Sequence, residues 1–210
     1  MTRIIVADDH PVVREGIKRI LAAAGGLEVV GEAGDAAGAL ERAREMEHDL
    51  VLLDLSMPGA EGLDLLKQLR RERPKVPVLI LTVSTADQYA VRALRAGASG
   101  YLTKDNAPAE LVGAIRRVVH GGRYVSPDVA EALASHLAEG NETAPHERLS
   151  DREFQVFHLI ATGTPTRDIA HRLGLNIKTV STYRARIFEK MELASPAELA
   201  AYAVRHRLIE

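Results

Sequence analysis

Five short apolar runs recur along the first part of the chain: RIIVAD (3–8), EVVGEA (28–33), LVLLD (50–54), PVLILT (77–82) and SGYL (99–102). Runs this short and this continuous read as strands covered on both faces. Segments 11–24, 35–47, 60–72 and 87–97 separate them, and 108–119 follows the last. Each carries its apolar residues at helical spacing, with Leu65, Leu66 and Leu69 on one face. Pro11 and Pro108 stand where a first helical turn accepts proline. This alternation predicts an α/β fold: a flavodoxin-like, doubly wound, five-stranded parallel sheet with strand order 2-1-3-4-5.

The alternation stops after residue 119. The stretch GGRYVSPDVAEALASHLAEG holds one helix, about 127–138, and EGNETAPHER is polar with Gly, Pro and Asn, as a linker is. Beyond it every apolar period is helical. Ser150 and Glu153 form an S-x-x-E capping box for a helix over 151–162, which Gly163 stops. Thr166 is placed to cap a short helix ending at Leu173, and Asn176 to cap one over 177–191. A last helix is predicted over 196–206. Two helices joined by Gly174, Leu175 and Asn176 make a helix-turn-helix candidate. The predicted organisation is thus a sheet domain over 1–121, a helix and linker over 122–147, and a small all-α four-helix domain over 148–210.

Charge follows the same division. Residues 148–210 carry ten Lys/Arg against seven Asp/Glu, and the residues before them seventeen against twenty-two. Any nucleic-acid contact is therefore expected in the second module. The chain has no cysteine, which excludes disulfides and thiolate metal sites. No apolar run reaches the roughly 18 residues a membrane span needs, so no membrane association is expected. The start of the chain lacks a charged-then-apolar signal, and a cytoplasmic location is expected.

In a doubly wound sheet, ligands bind at the carboxyl ends of the strands where strand order reverses. Strand 1 ends in Asp8-Asp9 and strand 3 in Asp54. Three carboxylates in one crevice repel unless a cation joins them, and hard oxygen ligands suit Mg²⁺. Strand 4 brings the Thr82 hydroxyl to the same end, and strand 5 leads through Tyr101 to Lys104. Carboxylate, metal, hydroxyl and ammonium together suit a transferred phosphoryl group, with Asp54 as nucleophile. Taken singly, each residue has a plainer role: an Asp at a strand end caps or turns, and a lone lysine is solvated. It is their convergence on one end of the sheet that points to chemistry. No Gly-rich loop follows strand 1, which argues against a P-loop or dinucleotide site.

ADDHPVVREG, LLDLSMPGAEG, LILTVS and GYLTKD resemble the receiver domain of two-component response regulators. The stretch LSDREFQVFHLIATGTPTRDIAHRLGLNIKTVSTYRARIFEKMEL resembles the LuxR-type helix-turn-helix. Together they resemble a NarL/FixJ-type regulator. The resemblance implies Asp54 as phosphoacceptor, Asp8, Asp9, Asp54 and the Ser56 carbonyl around Mg²⁺, Thr82 and Lys104 on the phosphoryl oxygens, and Tyr101 as the aromatic that moves on activation. It implies a sensor histidine kinase as partner and helix 177–191 as the DNA reader. The DNA-facing set is Lys178, Thr179, Ser181, Thr182, Tyr183, Arg184, Arg186 and Lys190. Phosphorylation is expected to pair two chains through the last helix, with Leu199 and Ala203 as contact candidates, on an inverted-repeat site in double-stranded DNA. A transcription regulator, rather than an enzyme, is the expected function. The competing readings are a metal-dependent phosphohydrolase with an aspartyl-phosphate intermediate, and a phosphate-independent DNA-binding protein with a vestigial receiver.

Overall fold

A computed structural model describes residues 1–55, 57, 62–82, 87–127, 129–131, 134, 144–206 and 208–209. Two compact units emerge, one built from Met1–Thr85 and Tyr89–Ala134, the other principally from Ser135–Glu210.

The first unit alternates strands and helices: β1 (Thr2–Ala7), α1 (Pro11–Ala24), β2 (Leu27–Ala33), α2 (Ala36–Glu45), β3 (Leu50–Leu53), α3 (Gly62–Glu72), β4 (Val78–Thr82), α4 (Asp87–Arg95), β5 (Gly100–Thr103), α5 (Ala107–Val119) and β6 (Tyr124–Val125). All pairings are parallel, in the order β2-β1-β3-β4-β5-β6. Successive strand residues face opposite sides of a sheet. Ile5, Ala7, Val51, Leu53, Val78, Ile80 and Tyr101 therefore pack in one layer with the apolar faces of α2, α3 and α4. Their neighbours Ile4, Val6, Leu50, Leu52, Leu79, Leu81 and Leu102 pack in the other with α1 and α5. Each fully buried aliphatic side chain contributes about 1.5–3 kcal/mol of hydrophobic stabilisation.

The sheet has one short strand more than the sequence predicts. Tyr124 and Val125 pair with Gly100 and Tyr101. Gly100 permits this approach, because a Cβ there would lie 2.7 Å from both the Tyr124 carbonyl oxygen and Leu79 Cδ1. Tyr124 is anchored by its hydroxyl, which donates to Glu110 Oε2 at 2.6 Å, and the Ser126 N–H donates to the Tyr101 carbonyl at 3.2 Å. A two-residue strand shows no period, so only the tertiary pairing reveals it. Of the helix expected over 127–138, residues 127, 129–131 and 134 are described and are helical; the remainder, with residues 139–143 of the expected linker, lies outside the described residues.

The second unit opens with a 3-10 turn, Pro145–Arg148, followed by α6 (Asp151–Ala161), α7 (Thr166–Arg172), α8 (Ile177–Met191) and α9 (Pro196–Arg205). The capping box is formed in both directions: the Ser150 N–H donates to Glu153 Oε2 at 2.8 Å, and the Glu153 N–H to Ser150 Oγ at 3.3 Å. Asn176 Oδ1 accepts from the Thr179 N–H at 2.7 Å and starts α8, a cap that contributes about 1 kcal/mol. Thr166, expected as a cap, is instead the first helical residue of α7; extended Pro165 occupies the cap position. The turn between α7 and α8 passes through Gly174 at φ +62°, a conformation that costs glycine little. Phe154, Phe157, Ile169, Val180, Ile187, Met191, Leu199 and Ala203 are buried, and Phe154 stacks on Phe157 with ring centroids 5.7 Å apart.

Candidate functional sites

Parallel pairing sets the carboxyl ends of β1, β3, β4 and β5 side by side. Three backbone bonds extend the ladder one residue past the strands: Asp8 N–H to the Ala33 carbonyl, Asp54 N–H to the Ala7 carbonyl and Lys104 N–H to the Thr82 carbonyl. These bonds fix the backbones of Asp8, Asp54 and Lys104 at one rim. Asp8 is 1% exposed and Asp54 2%. The Lys104 ammonium lies 2.7 Å from Asp54 Oδ2, as a hydrogen bond, and 2.7 Å from Asp8 Oδ2, as an ion pair without hydrogen-bond alignment. Burial alone pulls the Lys104 pKa down; Asp54 and Asp8 outweigh it, and the net direction is upward. The ammonium is thus held charged between two buried carboxylates.

Two residues outside the expected set complete the rim. The His10 N–H donates to Asp8 Oδ1 at 2.8 Å, and His10 Nδ1 lies 2.8 Å from Asp9 Oδ1 and 3.3 Å from Asp8 Oδ1. Arg14, one turn into α1, donates to the Asp8 carbonyl at 2.6 Å and to Glu32 Oε2 at 3.1 Å. Helical spacing from Pro11 gives the only sequence signal for Arg14. Thr82 is buried at the end of β4, opposite Thr103. Tyr101 is fully buried in the layer shared with α2, α3 and α4. Ser56 lies outside the described residues.

The donor set fits a hard divalent cation. Asp8, Asp9, His10 and Asp54 offer ligand atoms within 4.8 Å of one another. Asp8 Oδ2 and Asp9 Oδ1 are buried carboxylate oxygens that accept no hydrogen bond. Carboxylate oxygens gathered at one point, close to the nitrogens of Lys104 and His10 but in no aligned hydrogen bond, match the preference of Mg²⁺ for oxygen over nitrogen.

In the second unit α8 exposes Ile177, Lys178, Ser181, Thr182, Ala185, Arg186, Glu189 and Lys190 and buries Val180, Ile187 and Met191. Thr179, Tyr183 and Arg184 are half-buried, with the Arg184 guanidinium 5.5 Å from the Phe188 ring centre. Lys190 is engaged within its own domain, donating to buried Glu153 Oε2 at 2.6 Å. Leu199 and Ala203 are each 0% exposed and belong to the domain's own core, so the large apolar side chain that α9 exposes is Val204, at 56%.

The response regulator receiver domain family matches residues 4–116, and the luxR family of bacterial regulatory proteins matches residues 147–203. The chain belongs to the NarL/FixJ type of two-component response regulators. Response regulator GacA of Pseudomonas viridiflava is 44% identical over 100% of this chain and 99% of its own length. Response regulator UvrY of Escherichia coli K12 is 40% identical over 99% of this chain and 96% of its own. Among solved structures, RcsB of Salmonella enterica serovar Typhimurium bound to promoter rprA with the phosphomimetic BeF3⁻ is 29% identical, with a TM-score of 0.68 over 96% of this chain and 97% of that one. This NarL/FixJ-type regulator therefore carries a receiver and a LuxR-type DNA-binding domain, and its family regulates transcription rather than acting as an enzyme. Among the described residues no helix is long and apolar enough to cross a membrane.

Proposed function

We propose that the chain is a phosphorylation-controlled transcription regulator, with a phosphoacceptor receiver over 1–121, a connecting helix and linker over 122–147 and a DNA-binding domain over 148–210. The observation that carries this reading is Lys104 Nζ at 2.7 Å from both Asp8 and Asp54, at the carboxyl rim of a parallel sheet. Asp54 is the nucleophile. One of its oxygens forms the bond to phosphorus as the phosphorus–nitrogen bond of a sensor kinase's phosphohistidine breaks, and the imidazole nitrogen leaves with the bonding pair. Asp8, Asp9 and Asp54, with the Ser56 carbonyl, would hold Mg²⁺, which when bound would offset charge on the phosphoryl oxygens. Lys104, freed from Asp54, follows a phosphoryl oxygen, and the Thr82 hydroxyl donates to another. Tyr101 then turns into the space Thr82 leaves, and the population moves toward a pairing-competent state.

DNA is taken up by α8. Its fifteen residues span about 22 Å, enough to cross a major groove. Lys178, Thr179, Ser181, Thr182, Tyr183, Arg184 and Arg186 are its contact set. RcsB has been seen as two dimers on two parallel DNAs. A two-fold pair of this chain calls for an inverted-repeat site.

The test is labelling with acetyl phosphate and Mg²⁺, read by intact mass, followed by footprinting. The parent gains one phosphoryl group and Asp54→Asn gains none. Labelled protein binds an inverted repeat as a dimer, more tightly than unlabelled protein. Equal labelling of Asp54→Asn overturns the nucleophile assignment. Equal DNA affinity with and without label favours the vestigial receiver instead.

A further inference from the structure

The exposed surface of α8 consists of two parallel ridges of different chemistry. Residues four apart on a helix lie along one ridge. Ile177, Ser181 and Ala185 form the N-terminal part of the first, which carries no charge until Glu189 at its far end; Lys178, Thr182 and Arg186 lie on the second, which runs on to Lys190. Ile177 is 54% exposed, one of four large apolar side chains so open among the described residues, and it sits at the first position of the helix.

The hydroxyls on this surface point inward. Ser181 Oγ donates to the Ile177 carbonyl and Thr182 Oγ1 to the Lys178 carbonyl, each at 3.0 Å, and Thr179 Oγ1 donates to Asn176 Oδ1 at 2.9 Å. With those protons engaged within the helix, the N-terminal part of the first ridge presents mainly methyl and methylene groups. The N-terminal residues of a recognition helix are the ones that reach base edges. In the major groove the apolar feature of a base edge is the C5-methyl group of thymine.

We infer that Ile177 is a specificity-determining residue that packs on a thymine methyl group in each half-site, while Lys178 and Arg186 hold the flanking phosphates. This rests on the DNA-binding assignment of α8 and adds what that helix reads. The contact is apolar, so it distinguishes thymine from deoxyuridine, which differ at that position only by the methyl.

The experiment uses the full chain, with acetyl phosphate and Mg²⁺ present, to select duplexes from a library with a randomised core. The preferred duplex is then remade with deoxyuridine replacing thymine one position at a time. We expect one thymine in each half-site where the replacement weakens binding about fourfold, the ratio that loss of one buried methyl-sized group gives. Ile177→Ala should bind thymine and deoxyuridine duplexes equally, and Ile177→Val should keep most of the discrimination. Ile177 is exposed, so both variants should retain the parent's melting temperature and salt dependence. Undiminished thymine discrimination by Ile177→Ala overturns the inference, as does a parent indifferent to every deoxyuridine replacement. A selection with no enriched sequence overturns it together with DNA reading by α8. A selection that succeeds equally without acetyl phosphate contradicts only the phosphorylation control, and the deoxyuridine comparison still decides the role of Ile177.

Discussion

Lys190 Nζ lies 2.6 Å from Glu153 Oε2, so the last cation of the recognition helix is held by a carboxylate of its own domain. Burial alone would raise the Glu153 pKa; Lys190 and the Ser150 N–H outweigh it, and the net direction is downward. A carboxylate depressed in the folded state adds stability that is full above its unfolded value, about 4.3, and is lost as pH falls through the folded value. Glu153→Gln should therefore be less stable than the parent at neutral pH, and the gap should close on the acid side of that value. Lys190→Ala should lose about 1–2 kcal/mol in urea melts. It should leave the salt slope of DNA binding unchanged, whereas Lys178→Ala lowers that slope by about one unit.

Lys104 is the cation that offsets Asp8 and Asp54 in the receiver. Lys104→Ala leaves buried carboxylates facing one another and should cost about 2–4 kcal/mol without divalent ions. Mg²⁺ then takes over the lost charge, so it should raise the melting temperature of Lys104→Ala more than that of the parent. Asp9→Asn should reduce the Mg²⁺ effect in either background. Calorimetric scans at fixed ionic strength measure all of these, and equal Mg²⁺ shifts in parent and Lys104→Ala would contradict the site.

Gly100 has no room for a side chain beside β6. One of its two obstacles at 2.7 Å is the Tyr124 backbone carbonyl, which cannot swing away as the other, the Leu79 side chain, could. Gly100→Ala should cost about 1–3 kcal/mol, the usual range for overpacking. Hydrogen exchange should accelerate at the Tyr124 and Ser126 amides, which donate to Ser99 and Tyr101. Unchanged protection there would mean that β6 does not depend on this close approach.

Val204 is open on α9, whereas Leu199 of the same helix is buried. Val204→Asp should leave domain stability within about 0.5 kcal/mol of the parent, while Leu199→Asp should unfold the domain. If α9 pairs two phosphorylated chains, Val204→Asp should also weaken binding to a two-half-site duplex and leave single half-site binding unchanged. Gel shifts on the two duplexes separate these effects.

Local signals in the sequence carried the outline of both units. The strands were legible because buried parallel strands are apolar throughout, and Asp8 and Asp54 because they end such runs. Ser150 with Glu153, and Asn176, were legible as caps because their partners lie three residues away. Interactions set by distant packing were not. Glu153 and Lys190 are 37 positions apart, and a lysine on a basic helix reads as a DNA contact until its partner is seen. Leu199 and Ala203 have a helical period that fits an interface or a core equally well; their burial assigns them to the core of the domain. At Pro165 and Thr166, proline's fixed φ suits either the cap or the first helical position, and the chain uses it as the cap.

The inward hydroxyl bonds of Ser181 and Thr182 have a thermodynamic consequence for the recognition helix. Side chains normally lose rotamer freedom when they dock, at about 0.5–1.5 kcal/mol for each flexible one. Ser181, Thr182 and Thr179 have already settled into single orientations against the helix backbone and its cap. Much of the reading surface thus meets DNA as a stiff template, and the ordering entropy of binding falls mainly on Lys178 and Arg186 at its edge.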